Sequence, residues 1–179
     1  MLNEDVKEVL ISEQQILERC KELGAQISKD YEGKVPVVIG LLKGSVPFMA
    51  ELIKHISIDC EMEFMAVSSY SGTESMGDVK IVKDLDRSIK GCDVLIVEDI
   101  VDTGKTLEKV KELLYSKGAE DVKVVSLLDK PSRRIVDIQA DYVGFEIPNE
   151  FVIGFGLDFN QRYRNLPYVG VLKEELYKN

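Results

Sequence analysis

The residues most able to do chemistry are gathered in Val94-Leu-Ile-Val-Glu-Asp-Ile-Val-Asp-Thr-Gly-Lys-Thr-Leu107. There an apolar run ends in Glu98 and Asp99, then breaks into Asp102-Thr-Gly-Lys-Thr106 ahead of a helical pattern. A buried strand that delivers acids and a small, donor-rich loop to a helix N-terminus makes a place to hold phosphate. The carboxylates lie close by for hydroxyls, a metal or a proton. Gly104 lacks the Cβ that would keep backbone N–H groups away from phosphate oxygens, and Thr103 and Thr106 add hydroxyl donors. Lys105 adds positive charge, with solvent an equally good destination for its side chain. A Walker A loop would need a glycine five positions before Gly104, where Asp99 stands, so an NTPase reading fails. The plain alternative is a strand–loop–helix joint capped by Thr103. It leaves unexplained why Glu98, Asp99 and Asp102 crowd at one strand end, where like charges repel unless a cation or ligand hydroxyls satisfy them. A phosphorylated sugar fits the whole pattern.

Three further segments carry candidate groups. Leu42-Lys-Gly-Ser45 ends an apolar run with one basic and two small residues, a pattern that many strand–helix turns share. Asp129-Lys130-Pro-Ser-Arg-Arg134 places three cations after a strand, which in isolation reads as a solvated basic turn. A lysine has donors only, so Lys130 at a ligand site would favour a 6-oxo over a 6-amino group on a base. Phe151-Val-Ile-Gly-Phe-Gly-Leu-Asp158 alternates into two glycines and an acid, and alone reads as a core strand with Phe151 packed inside. His55, the only histidine, sits on the apolar helix before Ile56, where a structural role is expected, and the absence of other histidines excludes Ser-His-Asp chemistry and histidine-rich metal sites. The tail, Lys173–Asn179, offers no chemistry.

The positioning elements follow from periodicity. Ser12 with Gln15 forms a capping box, and Ile16, Leu17, Cys20, Leu23 and Ile27 recur at helical spacing. Strands are expected at Val35–Leu42, Cys60–Ser68, Val94–Val97 and Val122–Leu128. Helices are expected through Phe48, Leu52 and Ile53 and over Thr106–Lys117, the latter ended by Gly118. Buried strands alternating with helices make an α/β domain with a mostly parallel sheet, whose ligands sit beyond the strand C-termini. Leu42–Ser45, Glu98–Thr106 and Asp129–Arg134 all fall at such ends. Ser68–Asp78 is polar, holds Gly72 and Gly77 and has no period; it reads as a lid or as the tip of a β-hairpin.

With 179 residues, 45% of them hydrophobic, the chain forms one domain with a sizeable core. A net charge of −9 argues against a nucleic-acid surface and leaves an anionic substrate to local donors and a metal. Cys20, Cys60 and Cys92 lack C-x-x-C spacing and are odd in number, as expected of reduced thiols in a cytoplasmic protein. The N-terminus does not read as a signal peptide, and no apolar run approaches the ~20 residues of a membrane span.

The segment Val97-Glu-Asp-Ile-Val-Asp-Thr-Gly-Lys-Thr106 closely resembles the phosphoribosyl pyrophosphate (PRPP) signature of type I phosphoribosyltransferases, most of all their hypoxanthine-guanine branch. The resemblance runs from about Val35 to Arg164 with the segments in the family's order. It implies a type I phosphoribosyltransferase fold: a core over about 35–130, a hood from the N-terminal segment and about 131–179, and a mobile lid over about 69–80 that includes Ser69 and Tyr70. It implies Mg2+-dependent transfer of the 5-phosphoribosyl group to hypoxanthine or guanine in purine salvage, and a homodimer or homotetramer.

Residue by residue, it puts Lys43 and Gly44 on pyrophosphate, with a cis peptide at Leu42–Lys43, and adds Arg164 to the same group. A nearby arginine, Arg133 or Arg134, joins them, with Arg134 taken as the candidate. The 5′-phosphate would sit in Thr103, Gly104, Lys105 and Thr106. Glu98 and Asp99 would hold ribose hydroxyls, directly or through metal, and Asp158 would reach Mg2+ on the pyrophosphate. Asp102 would be the acid/base for the purine ring proton. Lys130 would bind the exocyclic oxygen, Phe151 would stack on the purine, and the Val152 backbone would bond its edge. Two rivals share the loop: a PRPP-sensing regulator without turnover, and a transferase for another base such as xanthine, adenine or orotate.

Overall fold

The computed structural model describes residues 2–69 and 79–178. A short N-terminal 3-10 turn leads into β1 (Val6–Ile11) and then α1 (Glu13–Asp30). Helix α1 starts where expected: Ser12 accepts from the Gln15 N–H at 3.2 Å, and the Gln15 side chain accepts from the Ser12 N–H at 2.8 Å. Its apolar stripe, Ile16, Cys20, Leu23 and Ile27, is wholly buried.

The main sheet comprises β2 (Val37–Leu41), β3 (Glu61–Ser69), β4 (Val79–Lys83), β5 (Asp93–Val101), β6 (Asp121–Asp129) and β7 (Tyr142–Glu146), in the order β4-β3-β2-β5-β6-β7. All pairings are parallel except that of β3 with β4. Helix α2 (Val46–Leu52) follows β2, and α3 (Lys105–Ser116) follows β5. Successive strand side chains alternate between two cores, because the period of a strand is two. Val38, Leu95, Val97, Val125 and Leu127 pack with α1 and α2; Val37, Ile39, Val94, Ile96 and Val124 pack with Leu107, Val110 and Leu114 of α3. With both faces covered, the central strands read as unbroken apolar runs in the sequence. The chain builds outward in one direction from β2 and in the other from β5. The loops after these two strands therefore part at a crevice, the usual ligand position in such sheets.

A second, antiparallel sheet joins β1 to the C-terminal strands β8 (Val152–Ile153) and β9 (Val169–Leu172), in the order β1-β9-β8. This is the expected hood. Ile11, Val152, Phe155, Leu157 and Val169 belong to the same core as α1 and α2, which seats the hood on the main sheet. The boundary differs from the expected residue 131. Strand β7 pairs with β6, so the chain completes the main sheet before entering the hood. The short Tyr142–Glu146, interrupted by Gly144 and ended by Glu146, has too brief an apolar run to mark it as a strand. Ser69 and Val79 face each other as the last pair of β3 and β4; Tyr70 and the rest of the expected lid, residues 70–78, lie outside the described residues.

Candidate active site

The loops after β2, β5 and β6 and the turn that follows β8 converge at the C-terminal edge of the sheet. The peptide between Leu42 and Lys43 is cis, as the resemblance implied. Gly44 then passes so close to β5 that a Cβ there would lie 1.9 Å from Asp99 Oδ2, so only glycine fits. Gly104 closes the next loop at φ +85° as the N-cap of α3. Its hydrogen-for-side-chain economy also admits Arg134 and Ile138 alongside, since a Cβ would meet Ile138 at 2.5 Å. The first-turn Lys105 N–H has only a long 3.4 Å bond to Thr103 Oγ1. Loop donors therefore remain available to an anion at the helix N-terminus.

Two cavities open here. One, of about 110 Å³, is walled by Glu98 and the loop Asp102–Thr106. The other, of about 650 Å³, is lined by Lys130, Phe151, Val152 and Leu157 among others, and Ile100 and Asp102 border both. The small cavity suits a phosphate with its sugar carbons, and the larger one accommodates a planar base. Lys130 is 8% exposed, and burial pushes its ammonium below the ordinary lysine range while the Asp102 charge partly restores it. Phe151 stacks on Tyr177 at 4.7 Å and 25° and meets Phe159 edge-on at 5.6 Å.

Burial pushes the Glu98 carboxyl well above the ordinary range, and the charge of Asp99 raises it further. Asp99 is also raised by burial, although its Oδ1 accepts the Ile100 N–H at 2.7 Å. Such a pair gains from a cation or from hydroxyl donors. Among the described residues, no three histidine, cysteine or acidic side chains converge into a preformed metal cage, so Glu98, Asp99 and Asp158 are not gathered into one ligand set. Mg2+ typically takes one or two carboxylates and completes its shell with water and substrate phosphate oxygens. The desolvated pair Glu98–Asp99 fits that donor set.

At the far side, Lys43 Nζ and Arg164 Nη2 each donate to Gln161 Oε1 at 3.3 Å. Arg164 also pairs with Asp158 at 3.2 Å and bonds Gly156 O at 2.6 Å, while its Nε is buried without a partner. Lys43, Asp158 and Arg164 are thus brought together as expected. Arg134 is not brought to them. Its guanidinium pairs with Asp129, donates to Ile138 O and, at 3.2 Å, to Asp102 O, so its donors are engaged in bracing the loop after β6 against the Asp102–Thr106 loop. Arg133 is the arginine that faces Asp102, with Nε 3.2 Å from Oδ1. Thr106 and Lys105 are exposed at the start of α3. His55 has the structural role foreseen, its Nε2 3.0 Å from Glu51 Oε1.

Several residues at the site carry no sequence signal. Ile100 was hidden in an apolar run, and Gln161 is a lone amide in a turn, with no signal of its own. The tail, expected to carry no chemistry, supplies Glu174, Tyr177 and Lys178 to the wall of the large cavity; a tyrosine near a chain end has no periodicity to betray its contact.

The fold and these paired cavities define a transferase of phosphoribosyl groups: the chain belongs to the phosphoribosyl transferase domain family, whose model matches residues 7–160. Within it, the chain falls in the hypoxanthine-guanine branch. It is 60% identical over 177 residues to the hypoxanthine-guanine phosphoribosyltransferase of Lactococcus lactis, covering 98% of this chain and 96% of that one. Its identity to the enzyme of that name from Streptococcus agalactiae is 58%, covering 99% of each chain. Among solved structures, a hypoxanthine phosphoribosyltransferase from Staphylococcus aureus superposes with a TM-score of 0.95 at 55% identity, covering 99% of this chain and 97% of that chain. No helix among the described residues is long and apolar enough to cross a membrane.

Proposed function

We propose that this chain transfers the 5-phosphoribosyl group of PRPP to hypoxanthine and guanine, forming IMP or GMP and releasing pyrophosphate, as a step of purine salvage. The observation that carries this reading is the border shared by the two cavities. A phosphate cradle and a base cavity meet at Ile100 and Asp102, where a glycosidic bond would form.

A purine ring nitrogen attacks C1′ of PRPP as the bond from C1′ to the pyrophosphate oxygen breaks, with inversion at carbon. Thr103–Thr106 hold the 5′-phosphate through loop N–H groups and hydroxyls, and Glu98 and Asp99 take the ribose hydroxyls. Lys43 and Arg164 receive the charge that grows on the leaving pyrophosphate, in a setting where fixed donors need no reorganisation. The Glu98–Asp99 pair would hold Mg2+, whose chemistry would be to neutralise pyrophosphate oxygens, and Asp158, which stands apart from that pair beside Arg164, would meet a metal only through the pyrophosphate. Asp102, at the border, takes the purine ring proton, a contribution of ~10²–10⁴-fold in general. Lys130 donates to the 6-oxo group, Phe151 stacks on the ring and the Val152 backbone bonds its edge. Arg134 braces the loop that carries Asp102 instead of touching pyrophosphate. Self-association into a dimer or tetramer and a cytoplasmic location are carried over from the family resemblance alone.

Incubation with PRPP, Mg2+ and hypoxanthine, guanine, xanthine, adenine or orotate in turn tests the assignment. Hypoxanthine and guanine are converted to nucleotides and adenine and orotate are not. Turnover of adenine alone would sink the 6-oxopurine reading.

A further inference from the structure

Lys43 and Arg164 come from loops 121 positions apart in the sequence, yet both point at one neutral oxygen. The Gln161 amide is oriented with Oε1 toward them because both neighbours are pure donors. The turn that presents it is built for the purpose. Asn160, Gln161 and Tyr163 adopt φ of +51°, +65° and +77°, a left-handed region that side chains of this kind seldom occupy. Phe159 and Arg162 close the turn with mutual backbone bonds of 3.0 and 3.1 Å, and the Gln161 N–H is tied to Asp158 Oδ2 at 2.8 Å.

Resting on the pyrophosphate assignment above, we infer that Gln161 is a positioning residue: its amide oxygen stands in for a pyrophosphate oxygen and keeps Lys43 and Arg164 converged before substrate arrives. An amide suits this role better than a carboxylate. A neutral acceptor bonds two cations long and weakly, here at 3.3 Å each, and yields to a charged oxygen, whose hydrogen bonds are about twice as strong. Arg164 already pairs with Asp158 at 3.2 Å, so a glutamate there would add a second carboxylate beside the first, neutralise Lys43 as well and repel the incoming anion. Without any acceptor, Lys43, which is exposed, would be free to move into solvent, and substrate binding would have to order it again. Once pyrophosphate is bound it holds the cations itself, so Gln161 affects binding of PRPP and not turnover at saturation.

Gln161→Met keeps the bulk and removes the acceptor; Gln161→Glu keeps the acceptor and adds charge. Steady-state assays of both variants are expected to show unchanged kcat. The KM for PRPP should rise about fivefold in the first and at least about tenfold in the second, the larger effect shrinking as salt is raised. The KM for hypoxanthine stays at the parent value. A role confined to holding the turn predicts the opposite ranking, since glutamate leaves the turn's backbone bonds in place and strengthens the bonds from Lys43 and Arg164. Gln161→Glu with a PRPP KM within about twofold of the parent overturns the inference. Lys43→Ala and Arg164→Ala separate this from the underlying assignment: if they also leave the PRPP KM unchanged, the pyrophosphate subsite is elsewhere. If they raise it while Gln161→Glu does not, only the role of Gln161 is lost. Should Gln161→Glu not fold, judged by its thermal melting, Gln161→Met carries the test, and an unchanged PRPP KM in it overturns the inference.

Discussion

Gly44→Ala is the substitution whose consequence can be worked most fully from the structure. The new methyl carbon would lie 1.9 Å from Asp99 Oδ2 and 2.8 Å from its Cγ, against a closest real approach of 3.0 Å. The loop or the carboxylate must therefore retreat by about 1.1 Å, the difference between the first and last of those distances. Asp99 cannot swing freely, because its other oxygen is bonded to the Ile100 N–H at 2.7 Å. Giving up that bond to a charged acceptor costs about 1.5–3 kcal/mol. Shifting the loop instead displaces Lys43, and a misplacement of ~1 Å at a reacting centre costs on the order of 10²-fold. The expectation is a kcat/KM for PRPP lowered about 100-fold, with stability reduced by about 1.5–3 kcal/mol in urea unfolding. Gly33→Ala is the control. Gly33, unlike Gly44, has positive φ, at +79°, and nothing lies within 4 Å of its would-be Cβ, so about 1–2 kcal/mol of stability is lost through backbone strain with no change in activity. A Gly44→Ala enzyme with kcat/KM within about threefold of the parent would refute the reasoning.

Asp102→Asn keeps the shape of the cavity border and removes the base; kcat should fall ~10²–10⁴-fold with the PRPP dissociation constant little altered, and near-parental kcat removes Asp102 from its role. Lys130→Met removes the donor to the 6-oxo group and should raise the KM for hypoxanthine by about 10- to 150-fold, the range for a hydrogen bond to a charged group, while PRPP binding is spared. Cys20 is wholly buried, and burial pushes its thiol up to about 12. Native protein should therefore expose Cys60 and Cys92 but not Cys20 to a thiol reagent, with the third reacting only on unfolding; rapid labelling of Cys20 contradicts its place in the core. The same shift makes stability pH-dependent. The unfolded thiol ionises near 9 and the folded one near 12, so the contribution is complete below pH 9 and is lost as pH rises toward 12. Cys20→Ala should flatten that part of a pH–stability curve.

The legible parts of this molecule were those where local chemistry and tertiary structure demand the same residues. The capping box at Ser12, the doubly buried runs of β2, β5 and β6, and the acid-rich loop after β5 each satisfy a local rule and a global one. Strands β1, β4, β7 and β9 carry no clear sequence signal: β1 and β4 leave residues exposed and have no unbroken apolar run, β7 is interrupted by Gly144, and β9 is buried but only four residues long. In the site, residues whose type implies their chemistry were readable: carboxylates at a strand end, a buried lysine, glycines at close approaches. Arg134 shows the limit. Its charge suggested an anion, but Asp129 and two carbonyl oxygens claim it, and only the path of the chain from Pro131 to Ile138 reveals that. Gln161 meets Lys43 and Tyr177 meets Phe151 across long stretches of chain, and nothing in their local surroundings announces those contacts.

Group transfer from PRPP to a purine is tested most directly by the stoichiometry of its products. With PRPP, Mg2+ and hypoxanthine, one IMP is expected for each pyrophosphate released, and release should all but cease when the base is withheld. Pyrophosphate released equally fast without base would mean a hydrolase, and tight PRPP binding with no release under either condition would mean a sensor. Either result contradicts the central claim.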